Sequence, residues 1–129
     1  EGIDVNLELK SEGQIYGFES QLCQAVIILL SNAKDALANK KDDKKVTLTL
    51  ETKDKFAIIR VTDNAGGIKE EIMDKIFEPY FTTKHPSAGT GIGLYMLKSI
   101  VKNHGGSAGA KNVKFGAEFE IKLPLKDEK

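Results

Sequence analysis

The sequence predicts an α+β fold, with helices layered on one face of a mainly antiparallel, mixed sheet. Three observations predict it. A long apolar run with helical spacing occupies residues 20–37, and a shorter one follows near residue 93. The strand-like segments fall into two adjacent pairs separated by short turns. Strands and helices do not alternate one for one, as a doubly wound sheet would require. The expectation is a two-layer α/β sandwich packed on about three helices, forming a single domain over residues 1–129.

Ile3, Val5, Leu7 and Leu9 alternate with polar residues, the period of a half-buried strand. Gln14 to Phe18 reads as a second short strand. From Ser20 the period becomes helical through Leu22, Ala25, Val26, Leu29, Leu30, Ala33, Ala36 and Leu37. Cys23, Ile27 and Ile28 widen that apolar face, so this helix is expected to be deeply buried and Cys23 to be a core thiol. The polar run Asn39 to Lys45 reads as a solvated turn. Val46–Leu50 and Phe56–Val61 form a hairpin around Lys53-Asp54-Lys55. A short helix is expected over Lys69–Ile76, then a loop from Phe77 to Gly89 carrying Pro79 and Pro86; loops of that length in compact domains are often functional. A helix over Gly93–Asn103 and strands Ser107–Val113 and Ala117–Leu123 complete the pattern.

Composition excludes several classes. The 19 basic and 19 acidic residues cancel, where a phosphate-reading nucleic-acid binder would show a basic excess. One cysteine permits neither an internal disulfide framework nor a cysteine-based zinc site. No apolar stretch reaches membrane-spanning length and no signal peptide opens the chain, so a cytoplasmic setting is expected. A start at Glu1 rather than Met reads as a piece of a longer protein.

Three constellations carry chemistry. In Gly89-Thr90-Gly91-Ile92-Gly93-Leu94, glycines let the backbone approach a ligand, successive N–H groups can cradle anionic oxygens, and the following helix directs its positive end there. Taken alone, the loop also reads as a flexible turn before a helix. A dinucleotide fingerprint would need a strand directly before the glycines, and a Walker loop would need Gly-Lys-Ser/Thr; neither is present. In Asp63-Asn64-Ala65-Gly66-Gly67, an acid ends an apolar strand. It can accept a hydrogen bond from an exocyclic amine such as adenine N6, with Gly67 leaving room for a flat ring, or it can simply close an Asx turn. Asn32, a polar amide on an apolar helix, is either satisfied by neighbouring backbone or aims an oxygen at a hard cation such as Mg²⁺.

The order of these boxes is more specific than any one of them. Asn32-Ala33-Lys34-Asp35-Ala36, then Asp63 to Ile68, then Ile76-Phe77-Glu78-Pro79-Tyr80-Phe81-Thr82-Thr83-Lys84, then Gly89 to Leu94, then His104-Gly105-Gly106, closely resembles the catalytic and ATP-binding domain of two-component sensor histidine kinases. The resemblance covers about Ser20 to Pro124, and the Phe-Thr-Thr-Lys form looks like the nitrogen-regulator type. It implies the Bergerat ATP-binding fold, a sandwich that holds ATP between helices and a lid. By position, Asn32 would ligate Mg²⁺, Asp63 would bind the adenine amine, and Gly67 and Ile68 would line the base pocket. Gly89, Gly91 and Gly93 would cradle the phosphates, with Thr90 and Leu94 beside them. Phe77 and Phe81 would hold the base of the lid, and Lys84 would reach a terminal phosphate.

The resemblance further implies transfer of the γ-phosphate to a histidine on a dimerisation domain of the same protein, and a downstream response regulator as partner. Neither His85 nor His104 matches that acceptor. No nucleic-acid partner is implied, and the isolated domain is expected to be a monomer. Two positions depart from the pattern. Ile28 stands one turn before Asn32 where many relatives carry Asn or an acid, and an aliphatic group can neither bind metal nor activate water, which disfavours an ATP-hydrolysing relative. Asp35 stands where many sensor kinases have a phosphate-contacting Lys, and is expected to face solvent. These departures keep a second reading open, a nucleotide-binding regulatory module without phosphotransfer.

Overall fold

A computed structural model of the chain describes residues 3–10, 19–38, 40–78 and 93–125. In chain order the elements are β1 (Ile3–Lys10), α1 (Glu19–Ala36), β2 (Lys44–Lys53), β3 (Phe56–Asp63), α2 (Glu70–Met73), α3 (Gly93–Asn103), β4 (Ser107–Val113) and β5 (Gly116–Pro124). The five strands form one sheet in the order β1-β2-β3-β5-β4. β1 runs parallel to β2, with Ile3 opposite Lys44, and every other pairing is antiparallel. The expected mixed, mainly antiparallel layer with helices on one face is therefore present. The strand expected at Gln14–Phe18 lies outside the described residues.

Strand alternation sorts the sheet into two faces. Val46, Val61, Ala117, Phe119, Ile121 and Leu123 meet Ala25, Leu29, Ala33 and Leu37 from the α1 segment and Leu97, Ile100 and Val101 of α3 in one buried cluster. The opposite face carries charge: Arg60 Nε donates to Glu120 Oε2 at 2.8 Å, its Nη1 pairs with Glu51, and Glu118 lies 3.8 Å away. The hydrogen bond that Arg60 donates to Glu51, ahead of the bond and attraction to Glu120, holds the guanidinium above its ordinary range.

The helix α1 corrects one expectation. Its buried residues Ala25, Leu29 and Ala33, with Leu37 just past its end, recur every fourth position and trace a narrow inward line. At about 100° per residue, positions two away from that line point to the opposite side. Ile27 is accordingly 63% exposed and Cys23 is exposed and free, so α1 is amphipathic rather than deeply buried and Cys23 is not a core thiol. The short helix is also shorter than expected, with α2 ending at Met73 and Ile76 buried in the turns that follow.

Helix α3 ends in a Schellman arrangement: Gly106 N–H donates to the Val101 carbonyl (2.9 Å) and Gly105, at φ 78°, donates to that of Lys102 (3.0 Å). His104 caps this end, with Nδ1 2.8 Å from the Ile100 carbonyl. No described helix is long and apolar enough to cross a membrane.

Candidate functional site

The site is built where β3 runs out. Ala57, Ile59, Val61 and Asp63 share the helix-facing side of that strand, so the hydrophobic register that buries Val61 also carries the Asp63 carboxylate inward. Asp63 is 4% exposed and is the one buried charged or polar residue among those described. Its Oδ1 accepts from the Ala65 N–H at 2.9 Å. This is the Asx turn the sequence left open, and it occupies one oxygen only. Among the described residues the Asp63 side chain makes no other hydrogen bond, which leaves its second oxygen available to an incoming donor.

Three backbone features fix the turn that follows. Gly116 crosses behind Asp63 so closely that a Cβ there would lie 1.8 Å from the Asp63 carbonyl oxygen. Gly66 N–H donates to the Phe115 carbonyl at 2.9 Å, which anchors Phe115 in a left-handed turn (φ 71°) unusual for an aromatic residue. Gly66 and Gly67 are themselves left-handed, at φ 104° and 92°. Only glycine adopts such a pair without strain.

Two carboxamides brace the same segment. Asn64 Oδ1 accepts from the Lys45 N–H (3.0 Å) while its Nδ2 donates to the Asp43 carbonyl (2.7 Å). Asn112 brackets Ile68, accepting from its N–H (2.7 Å) and donating to its carbonyl (2.8 Å). The sequence did not single out Asn64, Asn112, Phe115 or Gly116, because an amide at a strand end and a glycine in a hairpin carry no local signal of what they touch across the sheet.

Helix α1 packs against α3 and β3. Ile28, Asn32 and Asp35 stand three and four residues apart and so share one flank. All three are half-buried. Gly93, the first residue of α3, meets that flank, since a Cβ at Gly93 would sit 3.7 Å from Ile28 Cγ2. The N-terminus of α3 is thus within about one helical turn of Asn32 along α1. Leu94 packs against the core beside it. Asp35, expected to face solvent, is half-buried and engaged with another group. Phe77 anchors the departing chain edge-on against Phe119, with ring centroids 6.4 Å apart, and carries Lys98 Nζ 5.7 Å above its ring. Lys84, Gly89, Thr90 and Gly91 lie outside the described residues, as does Phe81.

Residues 17–127 match the family model described as histidine kinase-, DNA gyrase B-, and HSP90-like ATPase. The chain belongs to this family. Among its relatives are the two-component sensor PprA of Pseudomonas aeruginosa, 40% identical over 86% of this chain and 12% of its own length. Sporulation kinase D of Bacillus subtilis is 37% identical over 89% of this chain and 25% of its own length. This chain therefore spans only a small part of the curated sensor kinases it matches. Among solved structures, the catalytic domain of histidine kinase ThkA in a nucleotide-free form superposes with a TM-score of 0.83 at 30% identity, covering 96% of this chain and 80% of that one. The fold is that of the histidine kinase catalytic domain, and within the family the chain belongs with the sensor histidine kinases.

Proposed function

We propose that this chain binds Mg-ATP between β3, the Asn32 flank of α1 and the N-terminus of α3, and donates the γ-phosphate to a histidine on a dimerisation domain of its parent protein. The observation that carries the reading is Asp63: a buried carboxylate with one oxygen committed to its own turn and the other open suits the adenine amine. Gly67 and Ile68 border that position, and Gly93 with Leu94 opens a helix whose N-terminal dipole favours phosphate. In this reading Gly89, Thr90 and Gly91 continue the phosphate cradle and Lys84 contacts the terminal phosphate.

The half-buried carboxamide of Asn32 offers Mg²⁺ one hard oxygen, and an ion that usually keeps several waters would complete its shell with phosphates and water. Its contribution would be to neutralise phosphate charge. Asn32 would hold the ion, Asp63 fixes the base, and half-buried Ile28 offers neither a metal ligand nor a base at the turn where an ATPase would need one.

The related structure of ThkA in complex with the response regulator TrrA supports a response regulator as the downstream partner of the parent. Similarity to an NtrY-like sensor kinase of Rickettsia conorii, at 37% identity, supports the nitrogen-regulator type. In this reading the chain works in the cytoplasm as a monomeric module of a longer protein. Asp35 favours one second reading, a regulatory nucleotide binder, since a carboxylate on the Asn32 flank opposes phosphate there. Incubating the parent protein with γ-labelled ATP separates the two: acid-labile phosphohistidine supports the kinase, and nucleotide bound without label overturns it.

A further inference from the structure

We propose that Asn112 is a positioning residue for nucleotide binding, holding the Gly66–Ile68 turn in the shape that keeps Asp63 and Gly67 open to the base. The inference rests on the nucleotide reading above and names a residue outside all of its motif boxes.

Asn112 lies near the end of the edge strand β4 and is exposed, yet both arms of its carboxamide are spent on one residue. Its Oδ1 receives the Ile68 N–H at 2.7 Å and its Nδ2 donates to the Ile68 carbonyl at 2.8 Å. A carboxamide presents the same donor–acceptor pair as a peptide group. Asn112 therefore extends the sheet by one pseudo-pair onto a segment that has already left it. The contact is close, for a Cβ on Gly67 would stand 2.8 Å from the same Oδ1.

The turn needs such a brace. Two consecutive glycines at φ 104° and 92° have little conformational preference of their own. Upstream, the turn is tied by the Asp63–Ala65 bond and by Gly66 to the Phe115 carbonyl. Downstream, Asn112 makes both of the hydrogen bonds that Ile68 forms to side chains. Releasing it frees Gly67 and Ile68 to rotate over the base position while leaving the sheet and the Asp63 carboxylate in place.

The test uses the 129-residue chain with Asn112→Ala, and Lys111→Ala as the control, an exposed neighbour on the same strand whose ammonium lies 3.7 Å from Glu118. Mg-ATP affinity is measured by calorimetry, and amide hydrogen exchange is followed at Ile68 and at β3 and β5. The expected result for Asn112→Ala is affinity lower by about tenfold, the scale of two net hydrogen bonds. Ile68 protection is lost while β3 and β5 keep theirs, and Lys111→Ala matches the wild type. Affinity within about twofold of wild type, or an Ile68 amide that stays protected, would overturn the proposal. A wild-type chain that binds no ATP would sink the nucleotide reading instead, and the exchange at Ile68 would still decide whether Asn112 holds the turn.

Discussion

Gly116→Ala is the substitution that most directly probes how the fold builds the site. The added Cβ would lie 1.8 Å from the Asp63 carbonyl oxygen, 2.6 Å from its carbonyl carbon and 2.9 Å from Asn64 Cα. All three obstacles are backbone, so no side-chain rotation relieves them. Ordinary contact needs about 3.4 Å, and the start of β5 and the end of β3 must separate by roughly 1.5 Å. Overpacking of that kind costs about 1–3 kcal/mol. Separation also removes the Gly66–Phe115 hydrogen bond, worth about 1 kcal/mol net. The sum, about 2–4 kcal/mol, is a large share of a small domain's stability. In urea, with a slope of about 1.5 kcal/mol per molar, the unfolding midpoint should fall by about 2 M. Variant that remains folded should bind ATP at least about tenfold more weakly, because the Asp63 carbonyl is part of the displaced backbone. A midpoint within about 0.3 M of wild type, with unchanged affinity, would refute the view that β5 sets the position of Asp63.

Three further outcomes follow from the packing. Leu29→Ala, at a fully buried position on the inward line of α1, should cost about 3–5 kcal/mol in chemical denaturation. Ile27→Ser, only two residues away but 63% exposed, should change stability by no more than about 0.5 kcal/mol; a large loss would mean that this face is covered. Arg60→Gln removes the cation that pairs with Glu51 and Glu120 and stands near Glu118, leaving three neighbouring carboxylates. It should destabilise by about 1–2 kcal/mol at low ionic strength and less in high salt, read from thermal unfolding at two salt concentrations. Because the Arg60 shift is upward, its stabilisation is fully present below the guanidinium's ordinary value and is lost only in strong alkali, so salt rather than pH is the useful variable.

The layer architecture was legible because it rests on period. Alternation from Ile3 to Leu9 and helical spacing from Leu22 to Leu37 state which segments are strand and which are helix, and the layers follow from them. The error at Cys23 and Ile27 came from reading apolar character as burial: the run from Leu22 to Leu30 is apolar nearly all round, and only the sheet decides which line faces in. Asp63, Gly67 and Asn32 were legible as residue types in a particular order. The brace around them was not, since Asn112 and Gly116 act on Ile68 and Asp63 across 44 and 53 positions of sequence. Such contacts arise only once β5 pairs with β3 and brings the β4–β5 turn beside the Asx turn. Asp35 illustrates the same limit, for its charge suggested solvent while its helical phase put it on the Asn32 flank.

The central claim is that an adenine nucleotide is held by the Asp63 carboxylate. Calorimetric titration of Mg-ATP into the chain and into Asp63→Asn tests it most directly, because the amide keeps the shape and the Oδ1 acceptor for Ala65 while removing the charge and one acceptor. Saturable one-to-one binding by the wild type, weakened at least about tenfold in the variant, is the expected result. Equal affinity in the two proteins would contradict it.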